Sequence, residues 1–229
     1  MKKYLPIALF VLGLVVFTGV YFFVIKGKNN KPVEVEDVVA EIPFDQRPVT
    51  TLTPFKDGHW LKLSISSIKV KASTLDYELL YQTQEGAMQG VPGSIKLEGS
   101  ANIERELLLG SESSGKFRYD EGVETGTLTL RFRNEKGKLI GKLSTKFHLQ
   151  EASDEITSDD GKFKFKLTKK PKSGFFLTMD TFGIPGVTTA PSSGPYGIFT
   201  DNDSVSGEPE GQWTKVTNPN GASLGIFYR

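Results

Sequence analysis

The sequence predicts a mainly β protein: an antiparallel, immunoglobulin-like β-sandwich over residues 57–150, a second small β-region over 155–229, and a single transmembrane helix at the N-terminus. Three observations predict it. Beyond His59 apolar side chains recur with a period of two, and Gly and Ser clusters separate these runs with no soluble amphipathic helix between them. An uncharged apolar run covers residues 5–25 ahead of them all.

Residues 1–4 form a short tail carrying Lys2 and Lys3, and LPIALFVLGLVVFTGVYFFVI follows up to Lys26. As a helix, residues 5–25 would reach roughly 31 Å, the hydrocarbon thickness of a bilayer. Pro6 falls in the first turn, where its missing N–H costs little, and Tyr4 and Tyr21 stand toward the ends as interfacial aromatics do. A cleaved signal peptide would have an apolar core of about 7–15 residues and a small-x-small site. Phe17 to Ile25 offers no such site, so an uncleaved anchor is expected. Lysines flank both ends, with Lys26, Lys28 and Lys31 beyond the span, and the positive-inside rule does not choose a side. A short basic segment before an apolar run is the usual export signal, which favours a single-pass cell-membrane protein with its C-terminal domain extracytoplasmic. The alternative is a cytoplasmic-facing domain.

Residues 26–56 read as a stalk or linker. KGKNNKP is polar, EVEDVVAE is acidic, and Pro43, Pro48 and Pro54 interrupt regular structure. The Val and Ile residues of this segment offer an alternative, an additional strand for the domain.

The strands follow. WLKLSISSIKV places Leu61, Leu63 and Ile65 in one phase and Ile68 and Val70 in the other, so a bulge or break is expected near Ser66–Ser67. Leu75, Tyr77, Leu79 and Tyr81 alternate with polar residues, as do Leu128, Leu130 and Phe132. NEKGK is a hairpin turn signal, and Leu143, Thr145, Phe147 and Leu149 share a face beyond it. SIKL, ERELLL and KFRY are shorter candidates. EASDEITSDDG is a polar joint, and KFKFKL then sets Phe163, Phe165 and Leu167 against Lys162, Lys164 and Lys166. GFFLTM, YGIFT, QWTKV and SLGIFYR complete either a separate β-domain over 155–229 or extra strands of the first sandwich.

GVPGSIKLEG (90–99), LLLGSESSGKFRYDEGV (107–123) and GTLTLRFRNEKGKLIGKLSTKFHLQ (126–150) resemble a family of uncharacterised, singly anchored bacterial surface proteins. TFGIPG (181–186) and GPYGIF (194–199) are similar to the C-terminal part of that family. The resemblance implies one N-terminal anchor and an immunoglobulin-like sandwich, and it implies no activity.

Several chemistries are excluded by inventory. With 28 basic and 27 acidic side chains, the chain lacks the basic excess of a nucleic-acid binder. It contains no cysteine, so disulfides, thiolate nucleophiles and cysteine metal sites are absent. Histidine occurs only at His59 and His148, and neither a two- nor a three-histidine metal site is expected. His148 falls on the Lys142–Ser144–Lys146 face, expected to be solvated. Ser66–Lys69 and Ser113–Lys116 match an S-x-x-K spacing but lie in strand or turn context, without the KTG partner that this nucleophile needs. Asp159–Asp160–Gly161 and Asp201–Asn202–Asp203 read as turns rather than calcium loops, lacking EF-hand spacing. The lysine row reads as a solvated face that discourages edge-to-edge pairing. No catalytic residue, cofactor or metal is expected.

The strongest functional candidate in the sequence is the segment 181–197, whose Phe182, Ile184, Pro185 and Tyr196 either pack back or form a recognition patch. The expected function is non-enzymatic binding, adhesion or scaffolding at the cell envelope. The partners are the lipid bilayer through 5–25 and an envelope protein or polysaccharide. An envelope-glycan hydrolase with paired carboxylates is the alternative enzyme reading, and a cytoplasmic-facing tethered adaptor the alternative topology.

Overall fold

A computed structural model describes residues 39–99, 102–202, 204–217 and 223–229. The expected span at 5–25 lies outside the described residues, and among those described no helix is long and apolar enough to cross a membrane. The chain is mainly antiparallel β, and its one regular helical piece among the described residues is a short 3-10 turn at Phe44–Gln46.

The centre is an eight-stranded sheet. Its strands, from one edge to the other, are β15 (Thr214–Val216), β16 (Ser223–Tyr228), β13 (Tyr196–Phe199), β12 (Phe175–Asp180), β9 (Leu139–Glu151), β8 (Thr125–Arg133), β3 (Thr74–Gln82) and β4 (Met88–Lys96). The two alternatives for 155–229 resolve here: β12 pairs with β9, so β12, β13, β16 and β15 extend the sheet begun by the earlier strands. The period-two pattern explains why one sheet suffices. Along β12, Leu177 and Met179 join one core, whereas Phe176 points to the other face and joins a second.

Each face carries its own cover. On one side lies a three-stranded sheet of β1 (Val49–Pro54), β2 (Trp60–Ser66) and β5 (Asn102–Leu108). Its Leu52, Leu61, Leu63, Ile65, Ile103 and Leu107 pack on Leu75, Leu79, Leu128, Leu130, Phe132 and Phe147 of the central sheet. On the other side β10 (Glu155–Thr157), β11 (Lys164–Leu167) and β14 (Gly207–Pro209) form a smaller sheet. From this side Ile156, Phe163, Phe165 and Leu167 meet Phe176, Ile198 and Phe227. A two-stranded hairpin, β6 (Gly110–Ser113) and β7 (Lys116–Tyr119), continues beyond the end of β5.

Local sequence accounts for most boundaries. β2 ends at Ser66, and Ser67 takes φ 57°, the break that the change of phase required. Between β8 and β9 the Asn134 side chain accepts hydrogen bonds from the Lys136 and Lys138 N–H groups, both at 3.0 Å, and Gly137 supplies φ 74°.

In the C-terminal part of the segment expected as a stalk, 26–56, the alternative of an additional strand is what the structure shows. β1 pairs with β2 along its length and its Leu52 is fully buried, while Ile42 packs against Gly141 and belongs to the core. The prolines do not prevent this, because Pro48 precedes β1 and Pro54 ends it. β4 was expected only as the short SIKL piece. Its longer course, through Gly90, Pro92 and Gly93, is that of an edge strand, where a missing N–H is tolerated. The Tyr77 ring lies over Gly93, filling the space that a side chain there would take.

Candidate functional site

Of the two outcomes expected for the segment 181–197, packing back describes Phe182 and Ile184. Phe182 is 4% exposed and belongs to the first core, and Ile184 is buried against Val49 and Ile226. Pro185 is half-buried. Tyr196 lies on the opposite face of the sheet, stacked on Phe163 at 5.2 Å with its hydroxyl donating to Asp160 Oδ2 at 2.8 Å. The cause is backbone pairing: Gly183 N–H donates to Pro48 O at 3.0 Å, and Gly183 sits so close to Arg47 O that a Cβ would meet it at 2.6 Å. The segment is thereby drawn onto β1, and its apolar side chains turn inward, away from water.

Large apolar groups are exposed elsewhere. Among the described residues, the exposed large hydrophobic side chains are Met88, Phe117 and Tyr119, at 64%, 46% and 39%. Phe117 and Tyr119 share one face of β7. Their ring planes lie within 5° of each other with centroids 6.3 Å apart. His59 stacks on Tyr119 at 4.1 Å, and Trp60 meets Phe117 edge-on at 5.7 Å. The four rings form an aromatic ledge. Its position follows from the backbone, since Leu109 N–H donates to His59 O and Asp120 N–H to Leu109 O, tying the hairpin to the start of β2.

The ledge opens into a cleft of about 630 Å³. His59 belongs to both, and Asp120 follows Tyr119 directly into the cleft wall. Asp57, Glu121, Glu124 and Glu151 complete a set of five carboxylates, with no lysine or arginine in the lining. His148 is also among the residues that line it, as is His59. The expectation that His148 is solvated is corrected: it is half-buried, with Nδ1 3.0 Å from Thr157 O, because β10 covers the sheet there. Asp120 is held by the Tyr81 hydroxyl, which donates to Oδ2 at 2.8 Å. Burial, with Asp120 as acceptor, raises the pKa of Tyr81 above that of an ordinary tyrosine and keeps its proton in place.

A second concavity of about 280 Å³ lies between β9, β12 and the turn before β11, lined by Asp159, Asp160, Asp180, Lys146 and Tyr196 among others. Burial raises the pKa of Asp180, outweighing the Phe182 N–H that it accepts at 2.6 Å. Burial acts on Asp160 too, but hydrogen bonds from Ser158, the Lys162 N–H and Tyr196, with the Lys162 charge, lower it overall. Asp160 Oδ1 thus orders its own turn, while Oδ2 accepts from Tyr196 on β13.

The remaining sequence candidates have local roles. Phe163, Phe165 and Leu167 are buried while Lys162, Lys164 and Lys166 are exposed, with Lys164 3.5 Å from Glu155. Asn202 orders its turn through Ser204, and Asp203 lies outside the described residues. No group of residues suited to a metal ion occurs among the described residues. The ledge and cleft were missed in the sequence because their members come from 57–60, 117–124, 148–151 and Phe175. KFRY, with its aromatic residues two apart, is the one local signal that pointed to them. No protein-family model, curated protein or solved structure matches the chain.

Proposed function

We propose that this chain is a membrane-anchored, extracytoplasmic, non-enzymatic binding protein that presents the Trp60–Phe117–Tyr119–His59 ledge and its acidic cleft to a partner in the cell envelope. Residues 5–25 are the anchor in this reading, and the layered β-domain that begins with β1 and ends with β16 presents the ledge. One observation carries it: large aromatic side chains that the cores do not use are exposed side by side at a cleft mouth.

The direction of the strands supports the same reading. Ile42, near the start of the described chain, packs against Gly141 at the beginning of β9, whereas the cleft takes His148 to Glu151 at its end. At about 3.3 Å per residue the two sites lie roughly 25–30 Å apart along β9, so the cleft and the first described residues stand toward opposite ends of that strand.

Affinity capture from envelope extract tests this, comparing the full-length chain with its Phe117→Ala/Tyr119→Ala variant. Loss of the captured partner is expected, and an unchanged set of captured proteins and glycans overturns the reading. Protease treatment of intact cells tests sidedness, since protection of residues 57–229 would place the domain in the cytoplasm. The hydrolase alternative draws on the opposed shifts of Asp160 and Asp180 in one concavity. Release of reducing ends from envelope glycan by the wild type, lost in Asp160→Asn, would establish it instead.

A further inference from the structure

We infer that the outer edge of β7 is a docking strand for an extended, basic polypeptide segment whose cationic residues stand at alternate positions against Phe117 and Tyr119. This rests on the binding reading above and specifies its ligand.

The first ground is an open backbone edge. β7 pairs with β6 in a two-stranded sheet, and no other described strand pairs with it. Ser114 and Gly115 both have positive φ, 52° and 76°, as in a two-residue hairpin turn of the primed type. Ser113 and Lys116 close such a turn as a hydrogen-bonded pair, which makes Glu112 and Phe117 the next, non-bonded pair. The Phe117 N–H and C=O therefore point away from β6, and Tyr119 stands in the same phase. A free main-chain edge selects a partner that brings its own N–H and C=O groups, a polypeptide rather than a glycan.

The second ground is spacing. The Phe117 and Tyr119 centroids are 6.3 Å apart, close to the roughly 6.6 Å between alternate residues of an extended strand. Same-face side chains of an added strand would stand beside successive rings as cross-strand neighbours. The two ring planes are parallel, and an open ring face attracts a cation; one face of Tyr119 is already taken by His59 at 4.1 Å.

The third ground is charge. The adjoining cleft carries Asp57, Asp120, Glu121, Glu124 and Glu151 without a lysine or arginine. Cations on the ring face of the added strand complement that wall. Lys116 and Arg118 occupy the opposite phase of β7. They disfavour cations on the other face, so the residues between the cationic ones are neutral or acidic.

The test titrates the full-length chain in detergent with three probes: a peptide of about ten residues alternating Lys and Thr, one of the same composition with its lysines in a block, and a glucosamine oligomer. The alternating peptide is expected to bind about tenfold more tightly than the block peptide, and to weaken about tenfold as salt rises from about 0.05 to about 0.5 M. Phe117→Ala and Tyr119→Ala are each expected to weaken it by about tenfold with an unchanged melting temperature. N-methylation of alternate peptide amides is expected to abolish binding. Failure of the alternating peptide to bind, equal binding of both peptides, indifference to the ring variants or tighter binding of the glucosamine oligomer would each overturn the inference. If envelope capture still depends on the two rings, only this ligand assignment falls. If capture ignores them as well, the binding reading falls with it.

Discussion

The two cores on opposite faces of the central sheet are built from different side chains. The first is largely aliphatic, with Leu52, Leu61, Leu63, Leu75, Leu79, Leu128 and Leu130 all fully buried. The second is aromatic. Phe163 meets Trp213 edge-on at 5.0 Å, Phe227 at 5.3 Å and Tyr196 at 5.2 Å, and Phe165 reaches Phe227 at 5.4 Å. Arg229 closes this cluster with its guanidinium 3.9 Å from the Trp213 ring centre. The difference follows the size of the covers. β1, β2 and β5 have six or seven residues each, whereas β10, β11 and β14 have three or four. A short cover contributes few inward positions, and an aromatic ring, burying about 150–250 Å² against water, draws more from each.

The sharpest way to break this comparison is Phe163→Ala. It removes the ring that contacts three others, with an expected loss of about 3–5 kcal/mol in urea denaturation. A loss under about 1 kcal/mol would show that rings do not hold the second cover. Hydrogen exchange on the same variant sharpens the contrast, because amides of β10, β11 and β14 should lose protection before those of β2 and β5.

Leu130→Ala, in the first core, is expected to cost about 3 kcal/mol by the same measurement. The longer cover spreads that loss over many aliphatic neighbours, and exchange should accelerate throughout rather than on one face. Tyr196→Phe keeps the stacked ring and removes the hydrogen bond to Asp160, with an expected loss of about 1 kcal/mol.

Acid titration separates the carboxylates. Burial holds Asp180 above the ordinary 3.8, so the folded chain binds this proton more tightly than the unfolded one. The stability it contributes is complete below about pH 4 and is lost as pH rises through the folded value. Asp160 and Asp76 behave oppositely. For Asp76, burial is outweighed by the hydrogen bonds of Arg133 and Ser94 and by the Arg133 and Arg131 charges. Their contribution is present above the unfolded value and is lost as pH falls through the lowered one. Asp180→Asn should accordingly melt no lower than the wild type at neutral pH, with any advantage vanishing below about pH 4. A variant that melts lower at neutral pH and recovers on acidification would reverse the sign.

The smallest expected effect belongs to the ledge. Phe117→Ala and Tyr119→Ala should each change stability by no more than about 0.5 kcal/mol, since neither ring belongs to a core. A larger loss would make the hairpin a third structural cluster.

Much of the fold was legible because a strand reports its own faces. Leu128, Leu130 and Phe132, or Phe163, Phe165 and Leu167, declare the buried side whatever lies opposite. β4 was only partly legible because Gly90, Pro92 and Gly93 carry turn chemistry, and an edge position excuses it. β1 was legible only as the alternative of an added strand, because Pro48 and Pro54 flank or end it. In the segment 181–197 the apolar residues were correctly noticed, but sequence cannot say whether such residues face water or a neighbouring strand. Phe182 and Ile184 are buried by neighbouring strands, whereas Phe117 and Tyr119, though they touch Trp60 and His59, stay exposed.

What the sequence by itself determined is local: which residues of each strand point inward, where NEKGK turns the chain, and the apolar run at 5–25 from which the anchor is proposed. The tertiary structure alone decided that one sheet carries both cores, because Leu177 and Phe176 can serve opposite faces only once covers exist on both sides. It also decided the site. His59, Phe117, Glu124 and His148 are separated along the chain by distances that no local periodicity spans. They meet only because pairing of β2 with β5 and of β8 with β9 returns the chain to the same end.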